Sequence, residues 1–433
     1  MNPQKTFLAH IGIWAAYEGF TAVYLTAYAL ALGASNTVIG FLGALPFLAS
    51  MLTQIIGAEL VQHYSRRHIY ALFAGIGRLL WLPILLAPFL FEKPLLTVAV
   101  AYLFIKLFET MTDPSSTTLL ADIVPEQARG EFTSNRLRLL SLCAMISMVL
   151  GGLWLKQFPK ESPTGFAIMF AVGAVFGIIS VIFFTKVKEP EYSDHVHHKL
   201  TEFFSLDSNL RRFVTFSCAF NFAYMLASPL IAVYMLKTLE LTYSFYGLLT
   251  ALSLLTQLIF SRYIGKLTDS FGDKPIAILG IIGTAVVPLI YLLINKETTW
   301  LLIPAHIFSG FVWTAADISR FNLLLDLTSP QKRAMQIAEY SLYTNIPLIV
   351  APILGGWMTE NVNFIIAGIP LVFTLSAILR FISAAFLIPI KEPRAKQEYS
   401  AAYVLRHSIH FSPTKGIVQG VSSVRRVAGG LFR

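Results

Sequence analysis

The sequence predicts an all-α protein embedded in a membrane, with twelve transmembrane helices arranged as two six-helix pseudo-repeats. Three observations predict it. Of the 433 residues, 55% are hydrophobic and only 13% are charged, with a mean hydropathy of +0.65. Soluble domains carry about 25% charged residues, so the charge here is too sparse to clothe a soluble protein of this length. Twelve apolar runs of spanning length follow one another along the chain, and the second half repeats residues of the first at a constant offset. The composition excludes a soluble enzyme, a disordered protein and a disulfide scaffold.

The runs fall at 7–31, 36–61, 69–91, 95–121, 135–156 and 164–186 in the first half, and at 211–236, 243–266, 275–295, 299–325, 335–359 and 362–390 in the second. A helical span needs about 20 apolar residues. In hydrocarbon every backbone polar group must be bonded within its own segment, which makes these runs helices. A β-barrel would show short alternating segments instead. The first run outlasts the ~7–15-residue apolar core of a secretory signal, so it is expected to remain as the first span. The expected organisation is a six-helix bundle at 1–186, a charged cytoplasmic linker at 187–210, a second bundle at 211–390 and a basic cytoplasmic tail at 391–433. The tail carries eight Lys and Arg against two Glu. It is too polar to span, and is either disordered or partly an amphipathic stretch on anionic lipid.

Lysine and arginine set the orientation. With the N-terminus inside, and with charges at the run ends counted in the adjoining loops, 23 of the 33 lie in cytoplasmic segments, five in the opposite loops (Lys93, Lys156, Lys160, Lys237 and Lys296) and five within spans (Arg78, Lys106, Arg262, Arg320 and Arg380). The positive-inside rule then places both termini in the cytoplasm; the plasma (inner) membrane is the expected location. The net charge of +9 therefore reflects loop topology and not a nucleic-acid partner. Cys143 and Cys218 are the only cysteines; both lie in apolar runs, and their spacing fits neither a disulfide framework nor a metal finger.

The repeat is explicit. KEP at 188–190 follows the sixth run and KEP at 391–393 follows the twelfth; LGG at 150–152 recurs at 354–356, an offset of 204. At the same offset Asp113 matches Asp317, Asp122 matches Asp326 and Arg129 matches Arg333. Parallel six-helix repeats describe a known transporter architecture. The decapeptide GKLTDSFGDK, Gly265 to Lys274, resembles the cytoplasmic loop signature of the major facilitator superfamily, with Gly265, Asp269, Gly272 and Lys274 on the pattern and Asp273 off it. The equivalent loop of the first half, AELVQHYSRR from Ala58, keeps Arg66 and Arg67 but has Ala58, Gln62 and Ser65 where Gly, Asp and Gly are usual.

The resemblance covers residues 7–393 and implies two bundles around a central cavity lined by spans 1, 4, 7 and 10. It also implies a cytoplasmic latch at Asp269, with Asp326 and Asp122 as charge partners for Lys274 and Arg66. The alternative is that these loops only set topology. The antiporter pattern of the fifth span is incomplete here: Ser147 and Met148 precede Gly151 and Gly152 where Gly-Pro is usual.

Ionisable residues inside spans are costly and need partners or a wet cavity. Lys106, Glu109 and Asp113 share one face of span 4, at i, i+3 and i+7. His306, Trp313, Asp317 and Arg320 share a face of span 10. Span 1 offers Glu18 near its middle, whereas span 7 offers the uncharged Asn221 and Tyr224. Glu18 is thus the candidate proton carrier, helped by Glu109 or Asp113; the alternative is a structural salt bridge to Lys106 or Arg320. Lys106 with Glu109, and Asp113 with Asp317, have structural readings of the same kind. Arg78 and Arg380, on spans outside the cavity, are expected to anchor structure, snorkelling partway towards the cytoplasm. His195, His197 and His198 form a weak metal-binding candidate in the linker, and no metal or cofactor is expected.

No GxxxxGK[ST], HExxH or CxxC occurs, and nothing argues for an enzyme. The expected function is secondary active transport of a small organic solute by alternating access, coupled to protons, by a monomer. A facilitative uniporter, an exporter of amphiphiles or lipids, and a transport-inactive sensor or scaffold are the alternatives.

Overall fold

A computed structural model describes residues 3–125, 129–188, 206–329, 332–363, 366–393 and 399–408. The three linker histidines and the tail beyond Ser408 lie outside these. The described chain is helical, without strands. Among the described residues, ten helices are long and apolar enough to cross a bilayer. The first apolar run is divided into α1 (Pro3–Phe20) and α2 (Ala22–Ala31), and the last holds a shorter helix, α15 (Ile369–Ala385).

Capping chemistry explains many of the helix starts. Ser35 Oγ accepts from Val38 N at 3.3 Å to open α3 (Asn36–His63), and Asp207 Oδ1 accepts from Leu210 N at 2.7 Å to open α9 (Ser208–Met225). Such caps satisfy amides that the first turn leaves unbonded. Proline, which needs no amide partner there, stands at the start of α6 (Pro94–Ile123) and α8 (Pro163–Thr185). Gly272, at φ +90°, divides α11 (Tyr243–Phe271) from α12 (Asp273–Leu292), a conformation that a side chain would strain.

The chain forms two compact units. The first holds residues 1–197 together with 232–251 of the second half. In it α1 packs on α7 (Arg129–Leu155) and α8, α3 packs on α6, and α4 (Arg66–Leu79) packs on α6 and α8. Phe7, Ile11, Tyr70, Leu119 and Phe184 form its aromatic-rich core. The segment from the second half is held tightly. Tyr243 Oη donates to Lys160 O at 2.8 Å, and Lys160 Nζ donates to Glu240 O at 2.6 Å. A Cβ at Gly247 would run into the Tyr24 hydroxyl and lie 2.7 Å from Met148 O.

The second unit holds residues 198–231 and 252–433. There α9 packs on α14 (Arg333–Asn361) and α15, and α12 packs on α13 (Leu302–Leu327) and α15. Leu210, Phe213, Phe216, Phe220, Ile281 and Leu323 form its core. The eight-residue helix α16 (Ala401–Ser408) rests on this unit through Val404, fully buried among Tyr263, Ile264, Leu267 and Ile276. Large apolar side chains face outward in both units, for example Leu82, Leu90, Val175, Ile378 and Ile388. A surface of this kind is stable against lipid and not against water.

Candidate functional site

Both spans that begin a unit's bundle are interrupted. α1 gives way to α2 at Thr21; α9 stops at Met225 and α10 (Ser228–Val233) resumes before a π-helical turn at Tyr234–Thr238. Thr21 plus the repeat offset is 225, so the breaks correspond. Interrupted helices at matching positions of two repeats mark binding sites in transporters, and each break here adjoins a polar cluster.

In the first unit the cluster is ionic. Arg78 on α4 pairs closely with Glu109 on α6. Lys106, one turn earlier on α6, bonds the other oxygen of Glu109 at 2.7 Å. Tyr17 on α1 donates to Glu109 Oε1 at 2.8 Å, and Trp81 Nε1 donates to Tyr17 Oη at 2.8 Å. The Arg78 guanidinium also lies 3.9 Å from the centre of the Tyr17 ring. Glu109 thus has donors from three helices. Glu18, next to Tyr17, differs: Lys106 Nζ is 3.7 Å from its Oε1, and that atom is buried without a hydrogen bond. Arg78 is 1% exposed and sits over Gly177, where an added Cβ would come within 2.5 Å of Arg78 Cδ. The expected snorkelling does not occur, because a carboxylate inside the bundle neutralises the charge.

In the second unit the corresponding polar groups are fixed by dipoles. Arg320 donates to Asn221 Oδ1 at 3.1 Å and stacks 4.6 Å from the centre of the Phe220 ring. Asn221 donates onward to Thr344 O at 3.2 Å. Arg380, 2% exposed, donates to Thr284 O at 2.7 Å and Tyr224 O at 3.3 Å, so it does not snorkel either. Tyr224 packs edge-on against Trp313. His306 is bonded on both nitrogens, by Ser253 Oγ and Tyr291 Oη, each at 2.8 Å. Asp113 and Asp317, the repeat mates, are both exposed, and no hydrogen bond or ion pair among the described residues engages either side chain.

At the loop signature, Arg66 and Asp122 pair at 2.5 Å in the first unit, with Arg67 beside them at the start of α4. In the second unit the contact runs through a residue that motif reading missed. Glu392, the acid of the second KEP, accepts from Asp273 N at 2.7 Å and Lys274 N at 3.0 Å. It thereby caps the positive end of α12. Lys274 Nζ donates to Ile388 O at 2.8 Å, and Asn322 donates to Asp273 Oδ1 at 2.8 Å. Asp269 is exposed, and open space surrounds the position of an added Cβ at Gly265. Asp326 lies two turns after Arg320, in the last turn of α13. The recurrence of KEP was the available signal for Glu392; the cluster roles of Tyr17, Trp81 and Arg78 had none, since their partners lie on other helices. Among the described residues no group of His, Cys, Asp or Glu is arranged to hold a metal.

The sequence model of the Major Facilitator Superfamily matches twice, over residues 6–226 and 213–427. A class B tetracycline resistance protein of Escherichia coli is 31% identical over 116 residues, 27% of this chain and 28% of that protein, so the chain spans less than a third of that relative's length. An uncharacterized MFS-type transporter of Methanocaldococcus jannaschii is 21% identical over 87% of this chain and 94% of its own. Among solved structures, a mutant of the nucleoside transporter NupG superposes with a TM-score of 0.75 at 16% identity, covering 90% of this chain and all of that one. A D-xylose-proton symporter gives 0.71 at 15%, over 91% and 99%. At these identities the structures establish a shared fold. With the spanning helices, the outward apolar surface and the double match, the chain is an integral multi-pass membrane protein that belongs to the major facilitator superfamily of transporters.

Proposed function

We propose that the protein is a proton-coupled secondary active transporter of a small organic solute, working as a monomer by alternating access, with twelve spans and both termini on the cytoplasmic side of the plasma (inner) membrane. The observation that carries this reading is the unequal sharing of Lys106. Glu109 is held by Arg78, Lys106 and Tyr17, which fixes it as an anion; Glu18 has only a long contact to Lys106 and a buried oxygen without a hydrogen bond. With Glu18 ionised, the four charges of the cluster cancel. A proton on Glu18 leaves a net positive charge, and in a low-dielectric interior that difference is large enough to favour one arrangement of helices over another. The breaks at Thr21 and beyond Met225 supply places where those helices can bend. Asp113 and Asp317, each exposed within its own unit, are further candidates to take up a proton. Asp269, Lys274 and Glu392 act as the latch of one access state, with Arg66 and Asp122 as its counterpart.

Export of an amphiphile is the alternative tested alongside, and the partial match to a tetracycline resistance protein makes tetracycline the first solute to try. The test uses everted membrane vesicles, in which export becomes uptake. Acidifying the vesicle interior should drive accumulation of tetracycline or of another member of an amphiphile panel, and a protonophore should abolish it. Accumulation that survives the protonophore rejects proton coupling. Equilibration without accumulation identifies a facilitative uniporter, and no movement of any solute leaves the sensor or scaffold.

A further inference from the structure

The chain that follows α15 is tied step by step to the helices of the second unit. In the first turn of α9, Asn209 Nδ2 donates to Lys391 O at 2.7 Å, and Lys391 N donates to Asn209 Oδ1 at 3.1 Å. Glu392 caps α12. Further along comes α16, opened by Ser400, whose Oγ accepts from Tyr403 N at 3.1 Å.

Isolated helices shorter than about 12–15 residues are marginal in water, so the eight residues of α16 owe their shape to what they rest on. Of the described side chains of α16 only Val404 is buried; Tyr403, Leu405, Arg406 and His407 are exposed. Val404 is seated among Tyr263, Ile264 and Leu267 of α11 and Ile276 of α12. Just before the helix, Tyr399 meets the ring of Phe271 edge-on, with centroids 5.6 Å apart. Phe271 ends α11, and Gly272, at φ +90°, joins it to α12. The seat of α16 is therefore shared by two helices on either side of a glycine joint.

We propose that α16 is a strap that biases the equilibrium between access states. Docked, it holds α11 and α12 at their present spacing; a rearrangement about Gly272 has to eject Val404 from its seat. The coupling is reciprocal, so an arrangement that favours docking is favoured by docking. A single apolar anchor suits this use. Burying one valine removes enough apolar surface to shift an equilibrium and leaves the helix releasable, whereas a helix fixed by several core side chains would forbid the motion. The proposal rests on the alternating-access reading and adds the element that tunes it. It does not depend on proton coupling.

Cys218, a free thiol on α9, lines a cavity of about 860 Å³ beside α14 in the same unit, which makes the arrangement of that unit measurable. In the full chain carrying Cys143→Ser, Cys218 is the sole cysteine. Its alkylation by N-ethylmaleimide in phosphatidylcholine vesicles, with no gradient and no solute, is followed by mass spectrometry. Val404→Asp draws the anchor into water and should slow alkylation at least threefold, as the arrangement seen here loses population. Val404→Ser should act in the same direction, and Val404→Ile should leave the rate within twofold of the parent. Thermal unfolding in detergent should be nearly unchanged in all three, because α16 lies outside the spans. Equal alkylation rates in the parent, Val404→Asp and Val404→Ser overturn the proposal, since α16 then rests on the unit without biasing it. A large drop in Tm for both Val404→Asp and Val404→Ser also overturns it, because Val404 is then a core residue and not a releasable anchor. Absence of proton-driven uptake in the wild type, with the Val404→Asp effect retained, would defeat the coupling and spare the strap.

Discussion

Arg78 and Arg380 are equally hidden, at 1% and 2% exposure, yet the two units balance them differently. Arg78 meets a carboxylate, Glu109, which a second cation and a phenol also engage. Arg380 meets carbonyl oxygens of Thr284 and Tyr224, with the Trp313 ring 6.0 Å away. Arg320 likewise meets an amide and an aromatic face. Carbonyls, amides and rings do not titrate in the physiological range, so Arg320 and Arg380 are held in the same way at any ordinary pH. The first unit holds its own through carboxylates, and a proton can change that balance. The proposed proton carrier, Glu18, therefore falls in the unit whose buried arginine is balanced by a carboxylate.

The largest effect should come from breaking the ionic cluster. Glu109→Gln leaves Arg78 and Lys106 buried with too little counter-charge, and removing one partner of a buried pair costs about 3–5 kcal/mol. Thermal unfolding in detergent should show this as a large drop in Tm, partly restored by adding Arg78→Met. Arg380→Met should cost less, about 2 kcal/mol, because neutral carbonyls are easier to leave behind than charges, and its cost should be equal at pH 5.5 and pH 8. A loss from Arg380→Met matching that of Glu109→Gln would erase the contrast between the units.

Packing predictions sharpen the comparison at the next scale. Gly355→Ala places a Cβ against the Leu226 carbonyl, and Gly247→Ala places one against the Tyr24 hydroxyl. Each should destabilise by about 1–3 kcal/mol. The smallest effect is expected at the loop signature. Glu392→Gln keeps the size of the cap while removing its charge, and should lower stability by about 0.5–1 kcal/mol. Its mark should be clearer in cysteine accessibility, where Glu392→Gln should shift the labelling of positions along α9 more than Asp269→Asn does. Equal shifts would return the latch to Asp269.

Much of this was legible in the sequence because bilayers impose simple rules. Apolar runs are visible in the sequence itself, and the repeat that the double family match reflects shows itself at one offset. Lys106 and Glu109 bond because i, i+3 neighbours on a helix must meet, and Arg66 with Asp122 follows from the loop signature. The partners of Arg78 were not legible: Glu109 is 31 residues away on a different helix, and only packing decides which way a guanidinium turns. Thr21 is neither Gly nor Pro, so the break beside Glu18 had no local signal. His306 looked like a cavity residue from its helical face, but Ser253 and Tyr291, on two other helices, take both its nitrogens. Residues 232–251 belong by sequence to the second half, and nothing in their composition says that they pack within the first unit.

The claim that Glu18 carries the proton is tested most directly by separating exchange from accumulation. Glu18→Gln fixes the side chain in the form of a protonated acid. In proteoliposomes loaded with the solute that an uptake screen identifies, the variant should exchange labelled for unlabelled solute at a rate near that of the wild type. Under an imposed pH gradient it should fail to concentrate the solute, where the wild type succeeds. Full concentrative transport by Glu18→Gln, with unaltered pH dependence, would contradict the account and move the coupling to Glu109 or Asp113.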